Sequence, residues 1–408
     1  MPFSKLNIKD YSYNLPDNRI AHYPLVKREA SKLLIYNNGL IKDENFHNII
    51  SFLTPESLLI FNKTKVVNAR LLFQKETGSS VEIFCLEPVL PVSEISSAFM
   101  QKQKVVWKCF IGGAKKWKEG KLSKSFGDTV LTAEKVGSVD DVYLVEFDWN
   151  NSELTFGDIL QSFGFVPLPP YIKRTTETLD STRYQTVYAH DDGSVAAPTA
   201  GLHFTNELIQ QIENDKKLAC KTDYITLHVG AGTFKPVAAD TPIGKHVMHT
   251  EHITVGLGTL AQIKKYLISG GIVAIGTTSL RTLESIYWMG VNIIRKKENP
   301  LHITQFQPYD EVTSIASVEA VEAVETYIKS IKSDSINAST SLMIVPGYEF
   351  RIVKELITNF HQPNSTLLLL VSAFIGDDWR KVYQHALDHD YRFLSYGDAC
   401  YFKRLELK

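Results

Sequence analysis

Cysteine is scarce and scattered in this chain of 408 residues. The four thiols, Cys85, Cys109, Cys220 and Cys400, form no CxxC pair. That excludes a zinc knuckle or a disulfide framework and points to reduced, cytosolic thiols. Long apolar runs are missing too. The longest, Thr366–Ile375, is too short to cross a bilayer and reads as a buried helix. The opening residues MPFSKLNIKDYSYNLPDNRI lack the apolar core of a signal peptide, so a cytoplasmic protein is expected. There is no internal repeat, no low-complexity tract and no GxxxxGK[ST] phosphate loop. Strong charge of either sign is also absent. With Lys and Arg at 44 and Asp and Glu at 45, the net charge is −1, which leaves room for one basic face.

What is present describes an ordinary globular protein, 44% apolar and 22% charged. A chain this long exceeds what one hydrophobic core sustains, so two domains are expected. Short strand-like runs at 32–36 and 57–61 open it, and the second ends in the basic segment FNKTKVVNARL at 61–71. Between residues 71 and 149 the texture becomes that of a small all-β unit, with alternating runs at 81–86, 105–111 and 142–147. Its middle is the most basic part of the chain. Lys102, Lys104, Lys108, Lys115, Lys116, Lys118, Lys121 and Lys124 stand against Glu119 alone, interleaved with Trp107, Phe110 and Trp117. Such a pattern serves either as a solvated lysine face or as an RNA surface combining phosphate contacts with base stacking.

The chain is organised around residues 184–205, YQTVYAHDDGSVAAPTAGLHFT, where small side chains crowd around Pro198 and Thr199 before a helix opens at Thr205. Small residues beside a helix start admit a ligand or a second backbone, and the stretch alone does not separate the two. A strand at 224–229 leads to the flexible GAGTF at 230–234, which holds Gly230, Gly232 and Thr233. Another strand, 272–275, runs into Gly276-Thr277-Thr278-Ser279 and a helix bearing Arg281 and Glu284. That arrangement is either a capped turn or an anion cradle in which Arg281 clamps a carboxylate in bidentate fashion. Residues 245–255, KHVMHTEHITV, are rich in histidine. Read as a strand, they put His246 and His252 on one face and His249 with Glu251 on the other. One metal shell cannot collect all four, and His249 with Glu251 forms an acid/base pair. No metal is expected.

Taken together the motifs resemble one family, the S-adenosylmethionine:tRNA ribosyltransferase-isomerases of queuosine biosynthesis. The matching stretches are YNLP at 13–16, VPLPPYI at 166–172, residues 184–205, LHVGAGTF at 227–234, MHTE at 248–251, GTTSLRTLES at 276–285, LITNFHQPNS at 356–365 and YRFLSYGDA at 391–399. The resemblance implies a mixed α/β main domain, 1–70 and 150–408, interrupted by a small β-barrel at 71–149. It implies transfer and isomerisation of the ribosyl part of S-adenosylmethionine onto 7-aminomethyl-7-deazaguanine at the wobble position of tRNA, with release of adenine and methionine. On that reading His249 with Glu251, or else His203, removes the proton beside the sulfonium. Asp398 takes the proton of the attacking amine, and Asn359 or His361 supplies hydrogen bonds to the departing adenine. Tyr184, Ala197, Thr199, Gly201, Phe360 and the glycine-rich segments wall the pocket, with His203 at its rim. Thr277, Thr278, Ser279 and Arg281 take the methionine carboxylate, and Lys102, Lys104, Lys115, Lys116 and Lys118 meet the tRNA. A monomer is expected. The rival readings are an RNA-binding paralogue without catalysis and a metal-dependent hydrolase built on His246 to His252. The chain departs from the family pattern at Lys63, Lys65, Asn68, Lys354, Glu355, Gln362 and Cys400.

Overall fold

A computed structural model describes residues 6–75, 78–139, 142–230 and 242–404. Runs of β-branched and leucine residues bounded by polar turns form the strands of a ten-stranded mixed sheet. Its order is His302–Ile303, Ser335–Thr340, Glu251–Gly256, Lys221–His228, Ser57–Asn62, Gly271–Ile275, Glu355–Asn359, Ala399–Lys403, Lys32–Asn37 and Leu40–Asn45. The four strands from Lys221–His228 to Glu355–Asn359 run parallel to one another. Ser57–Asn62, Gly271–Ile275 and Glu355–Asn359 are buried along their whole length, as strands covered on both faces are.

Alternation decides which core each side chain joins. Leu58, Ile60, Ile272, Ala274 and Leu356 pack under the helices Leu257–Ser269 and Thr277–Ile294. Their neighbours Leu59, Phe61, Val273, Ile275 and Ile357 pack on the other face, against the helix Asn206–Asn214. The apolar run Thr366–Ile375 is a helix, as expected, and the Ser365 hydroxyl caps it by accepting from the Leu368 amide at 3.2 Å. Between the strand Gly271–Ile275 and the helix Thr277–Ile294 stands a single residue, Gly276, at φ 91°. Only glycine takes that turn cheaply, and it aims the helix start at the carboxyl ends of the parallel strands. Ligands bind there in open α/β sheets.

A second sheet is antiparallel throughout. It has seven strands in the order Gly164–Phe165, Arg70–Gln74, Ser80–Leu90, Lys104–Gly112, Val142–Trp149, Thr129–Val139 and Leu122–Phe126. Phe73, Ile83, Phe147 and Trp149 belong to its core, and so do Phe156, Ile159, Leu160 and Phe163 of the helix Phe156–Phe163 that follows. Its two edges meet through side chains: Lys124 donates to the Phe163 carbonyl at 3.1 Å, and the Phe126 and Phe163 rings lie 5.9 Å apart. Trp107 and Trp117, which the RNA-surface alternative would use for base stacking, are 3% and 0% exposed. Trp107 is buried on the strand Lys104–Gly112 beside the partly exposed Lys108, and Trp117, beyond that strand, is held inside with its indole N–H donating to the Gly120 carbonyl at 2.9 Å.

One further strand reading changes. The strand expected over 245–255 begins only at Glu251, so His246 and His249 sit on an irregular segment. The strand at the end of the chain begins at Ala399, and residues 391–398 form an irregular turn before it.

Candidate active site

The carboxyl ends of three parallel strands, marked by Val229, Gly276 and Asn359, open into one cavity. It measures about 160 Å³ as space open to the centre of a water molecule. At about 10–15 Å³ per water in that measure, it has room for a nucleoside-sized ligand rather than a lone ion. Of the residues expected to wall a pocket, Tyr184, Ala197 and Thr199 line it from one side, and Thr277, Thr278 and Arg281 line it from the helix start. Asn359, Phe360 and His361 close the strand end, while His249 and Glu251 complete the wall.

Other expected residues stand elsewhere. Gly201 lies beside the Tyr188 ring, where an added Cβ would fall 1.9 Å from the hydroxyl, so its smallness serves packing. Gly230 and Ser279 are not in the wall, and Gly232 and Thr233 lie outside the described residues. Lys102, Lys104, Lys115, Lys116 and Lys118 are surface residues of the antiparallel sheet and its loops.

The electrostatics revise several assignments. Arg281 and Glu251 form a buried ion pair through Nη1, and Arg281 Nε donates to the Leu342 carbonyl at 3.1 Å. The Glu251 carboxylate therefore belongs to Arg281 and not to an acid/base pair with His249. Arg281 in turn cannot offer a full fork, because Nη2 is its one nitrogen without a partner among the described residues. His203 is buried rather than at the rim. Its Nδ1 lies 2.8 Å from Ser31 Oγ and its Nε2 lies 3.1 Å from Asn359 Nδ2. Burial, aided by Arg392 and Arg28, pushes its imidazole down to about 3, which keeps it neutral and unfit as a base exchanging protons near pH 7.

Asp398 is also withdrawn from chemistry. Its carboxylate accepts from the backbone amides of Lys32 at 3.1 Å and Arg392 at 2.7 Å, and from Arg392 Nη2 at 3.2 Å. It ties the turn before the last strand to the first one and does not line the cavity. His361 does line it, with Nε2 2.9 Å from Thr358 Oγ1. Burial pushes this imidazole down to about 4, so it is uncharged near neutral pH.

Within the wall, Thr278 Oγ1, Arg281 Nη2 and Asn359 Oδ1 are buried without a partner among the described residues. An unsatisfied buried polar atom costs about 1–3 kcal/mol, so a cavity that gathers three such atoms is built for a polar ligand. A wider cleft lies between Glu94, Asp191 and Glu298, yet none of its described lining residues carries such an orphan. The histidine run divides between the two: His246 and His249 face the cavity, His252 the wider cleft. Among the described residues the one grouping with metal-ligand spacing is Asp43, His385 and His389, none of which lines the cavity.

Sequence reading passed over Tyr171 and Ser395, whose hydroxyls meet at 2.6 Å in the wall, although 166–172 and 391–399 both stood among the matched motifs. It also missed Leu342, Met343 and Ile344, an apolar stretch with no chemical signature.

Comparison with known proteins follows the same lines. A family model described as queuosine biosynthesis protein matches residues 8–402. An S-adenosylmethionine:tRNA ribosyltransferase-isomerase of Francisella philomiragia is 39% identical over 400 residues, covering 96% of this chain and 98% of that protein. One from Trichlorobacter lovleyi is 36% identical, covering 96% of this chain and 98% of its own. A crystal structure of S-adenosylmethionine tRNA ribosyltransferase from Thermotoga maritima is 27% identical, with a TM-score of 0.45 over 96% of this chain and 99% of that one.

Proposed function

The chain belongs to the queuosine biosynthesis protein family, and we propose from its cavity how it carries out the family's reaction. It is an S-adenosylmethionine:tRNA ribosyltransferase-isomerase. S-adenosylmethionine donates its ribosyl group to the aminomethyl nitrogen of 7-aminomethyl-7-deazaguanine in tRNA, giving epoxyqueuosine and releasing adenine and methionine. The observation that supports this assignment of the site is the set of orphaned groups, which mixes a cation, a hydroxyl and an acceptor within one nucleoside-sized space. Arg281 Nη2 and the Thr278 hydroxyl, at the start of the helix Thr277–Ile294, take the methionine carboxylate. His249, exposed on the irregular segment beside the cavity, takes the proton next to the sulfonium.

Incubation with S-adenosylmethionine and tRNA carrying the aminomethyl-deazaguanine tests the assignment. Free adenine and a mass gain on the tRNA are expected, and intact S-adenosylmethionine would reduce the protein to an RNA binder. His249→Ala should retain S-adenosylmethionine binding while adenine release falls by about 10²–10⁴-fold, the range for a general base. A variant with wild-type release would move the base elsewhere.

The remaining roles follow from the two sheets. The antiparallel sheet is read as a barrel-like domain inserted at 71–149 into an α/β catalytic domain of 1–70 and 150–408, acting as a cytoplasmic monomer. Its lysines meet tRNA by charge alone, since the tryptophans between them are interior. Lys104 is held by Glu146 at 2.9 Å, so Lys102, Lys115, Lys116 and Lys118 carry the binding. Reversing these to Glu should weaken tRNA binding and flatten its dependence on salt, by nearly one unit of log–log slope for each phosphate no longer neutralised. Filter binding across a salt series reads this out, and an unchanged slope would place the RNA elsewhere.

A further inference from the structure

The geometry points to Asn359 as the residue that reads the nucleobase of the ribosyl donor, as an acceptor for the exocyclic amine of adenine, with its amide oriented by a buried Ser31 and His203 pair. This rests on the reading that the cavity takes S-adenosylmethionine.

Asn359 ends the strand Glu355–Asn359 and is 2% exposed. Its Nδ2 lies 3.4 Å from the Leu394 carbonyl oxygen and 3.1 Å from His203 Nε2. A carbonyl only accepts, so the amide atom facing Leu394 has to be the nitrogen; the flipped amide would set two acceptors against each other. Because that nitrogen also donates to His203 Nε2, the imidazole carries its proton on Nδ1, where Ser31 Oγ accepts it at 2.8 Å. The Phe46 ring, 5.0 Å away and tilted, fixes the plane of the imidazole. Being buried, His203 stays neutral and keeps Nε2 as an acceptor.

Every donor of the Asn359 amide is thus committed on the protein side, and Oδ1 alone remains for a ligand. On this reading the hydrogen bond that Asn359 gives adenine is one that it accepts. Phe360, Leu370 and Leu394 belong to the same cavity wall, and a lone neutral amide oxygen suits a planar N–H better than an ammonium, which asks for a carboxylate. Of the donors on S-adenosylmethionine, the exocyclic amine fits. A 6-oxo base in its place would bring carbonyl against carbonyl.

Calorimetry with S-adenosylmethionine, its deaminated 6-oxo analogue and its 2′-deoxy analogue tests this on the full chain. The wild type should favour the amine over the 6-oxo base by about tenfold or more in Kd, as expected when an acceptor is left unpaired. Asn359→Leu should bring that ratio to within about threefold while binding the 6-oxo analogue no more weakly than the wild type does. Ser31→Ala leaves the cavity wall intact and frees the imidazole to change tautomer, so it should narrow the ratio as well, a result that loss of packing alone does not produce. An Asn359→Leu protein that loses affinity for both bases equally would overturn the inference. So would a variant whose loss matches that of the 2′-deoxy ligand in the wild type. If the wild type bound none of the three, the assignment of the cavity itself would fall. Tight binding of S-adenosylmethionine with an unchanged ratio would sink the role of Asn359 alone.

Discussion

Arg281→Met is expected to weaken S-adenosylmethionine binding by about 10–100-fold and to lower the unfolding midpoint of the free protein, whereas Glu251→Gln should lower the midpoint and spare binding. The size of the binding effect corresponds to one charge-assisted hydrogen bond of about 1.5–3 kcal/mol. The split follows from how the pair is built. Both side chains are buried, at 6% and 5% exposure, and Arg281 spends Nη1 on Glu251 and Nε on the Leu342 carbonyl. Removing the guanidinium strips the ligand of Nη2 and leaves a buried carboxylate unpaired, a loss of about 3–5 kcal/mol of stability. Removing the carboxylate's charge also costs stability, but Nη2 still faces the cavity with its positive charge less compensated, so an anionic ligand keeps its partner. Calorimetric titration beside thermal melts of both variants separates the two effects. An Arg281→Met protein that binds as tightly as the wild type would remove Arg281 from the ligand's shell.

How much of this was legible in the residues depended on how far apart the partners stand. The strand, glycine turn and helix around Gly276 were readable, because all three signals lie within a few residues and Gly276 does need its φ of 91°. The strands at 57–61 and 272–275 were readable as apolar runs, though the division of their side chains between two cores was not. What escaped were pairings across the fold. Nothing near Glu251 announces Arg281, which meets it only across the fold, from the first turns of the helix Thr277–Ile294 to the first residue of the strand Glu251–Gly256. His203 follows a run of small residues and so looked accessible; the segments that bury it carry Ser31 and Asn359, each more than 150 positions away. Trp107 and Trp117 were misplaced for a different reason. Basic and aromatic residues in alternation fit an RNA surface and also a sheet with lysines out and aromatics in, and only the burial of Val105, Val106 and Trp107 in succession separates the two.

Acid should unfold this protein earlier than its carboxylates require. Burial holds His203 near 3 and His361 near 4, against an ordinary 6.5. Because these folded-state values lie below the unfolded one, the unfolded chain binds protons that the native chain refuses. The stability that results is complete above pH 6.5 and drains away as the pH falls toward the folded values. With two groups titrating only when unfolded, the slope is about 2.7 kcal/mol per pH unit in the middle of that window. His228 and His246, also lowered by burial, add in the same direction. The paired carboxylates work in a different window: Asp43, Asp180 and Asp191 are held below 3.8, so their contributions persist until the pH falls further still. Urea unfolding between pH 7 and pH 4.5 should show the decline, and a His203→Gln, His361→Gln double variant should show a much flatter one, even from a lower starting stability. A double variant as steep as the wild type would mean that the two imidazoles gain protons in the native state. His203 would then carry a proton on Nε2, the Asn359 amide could no longer donate to it, and the preference for an amino base over a 6-oxo base would have to fade over the same range of pH.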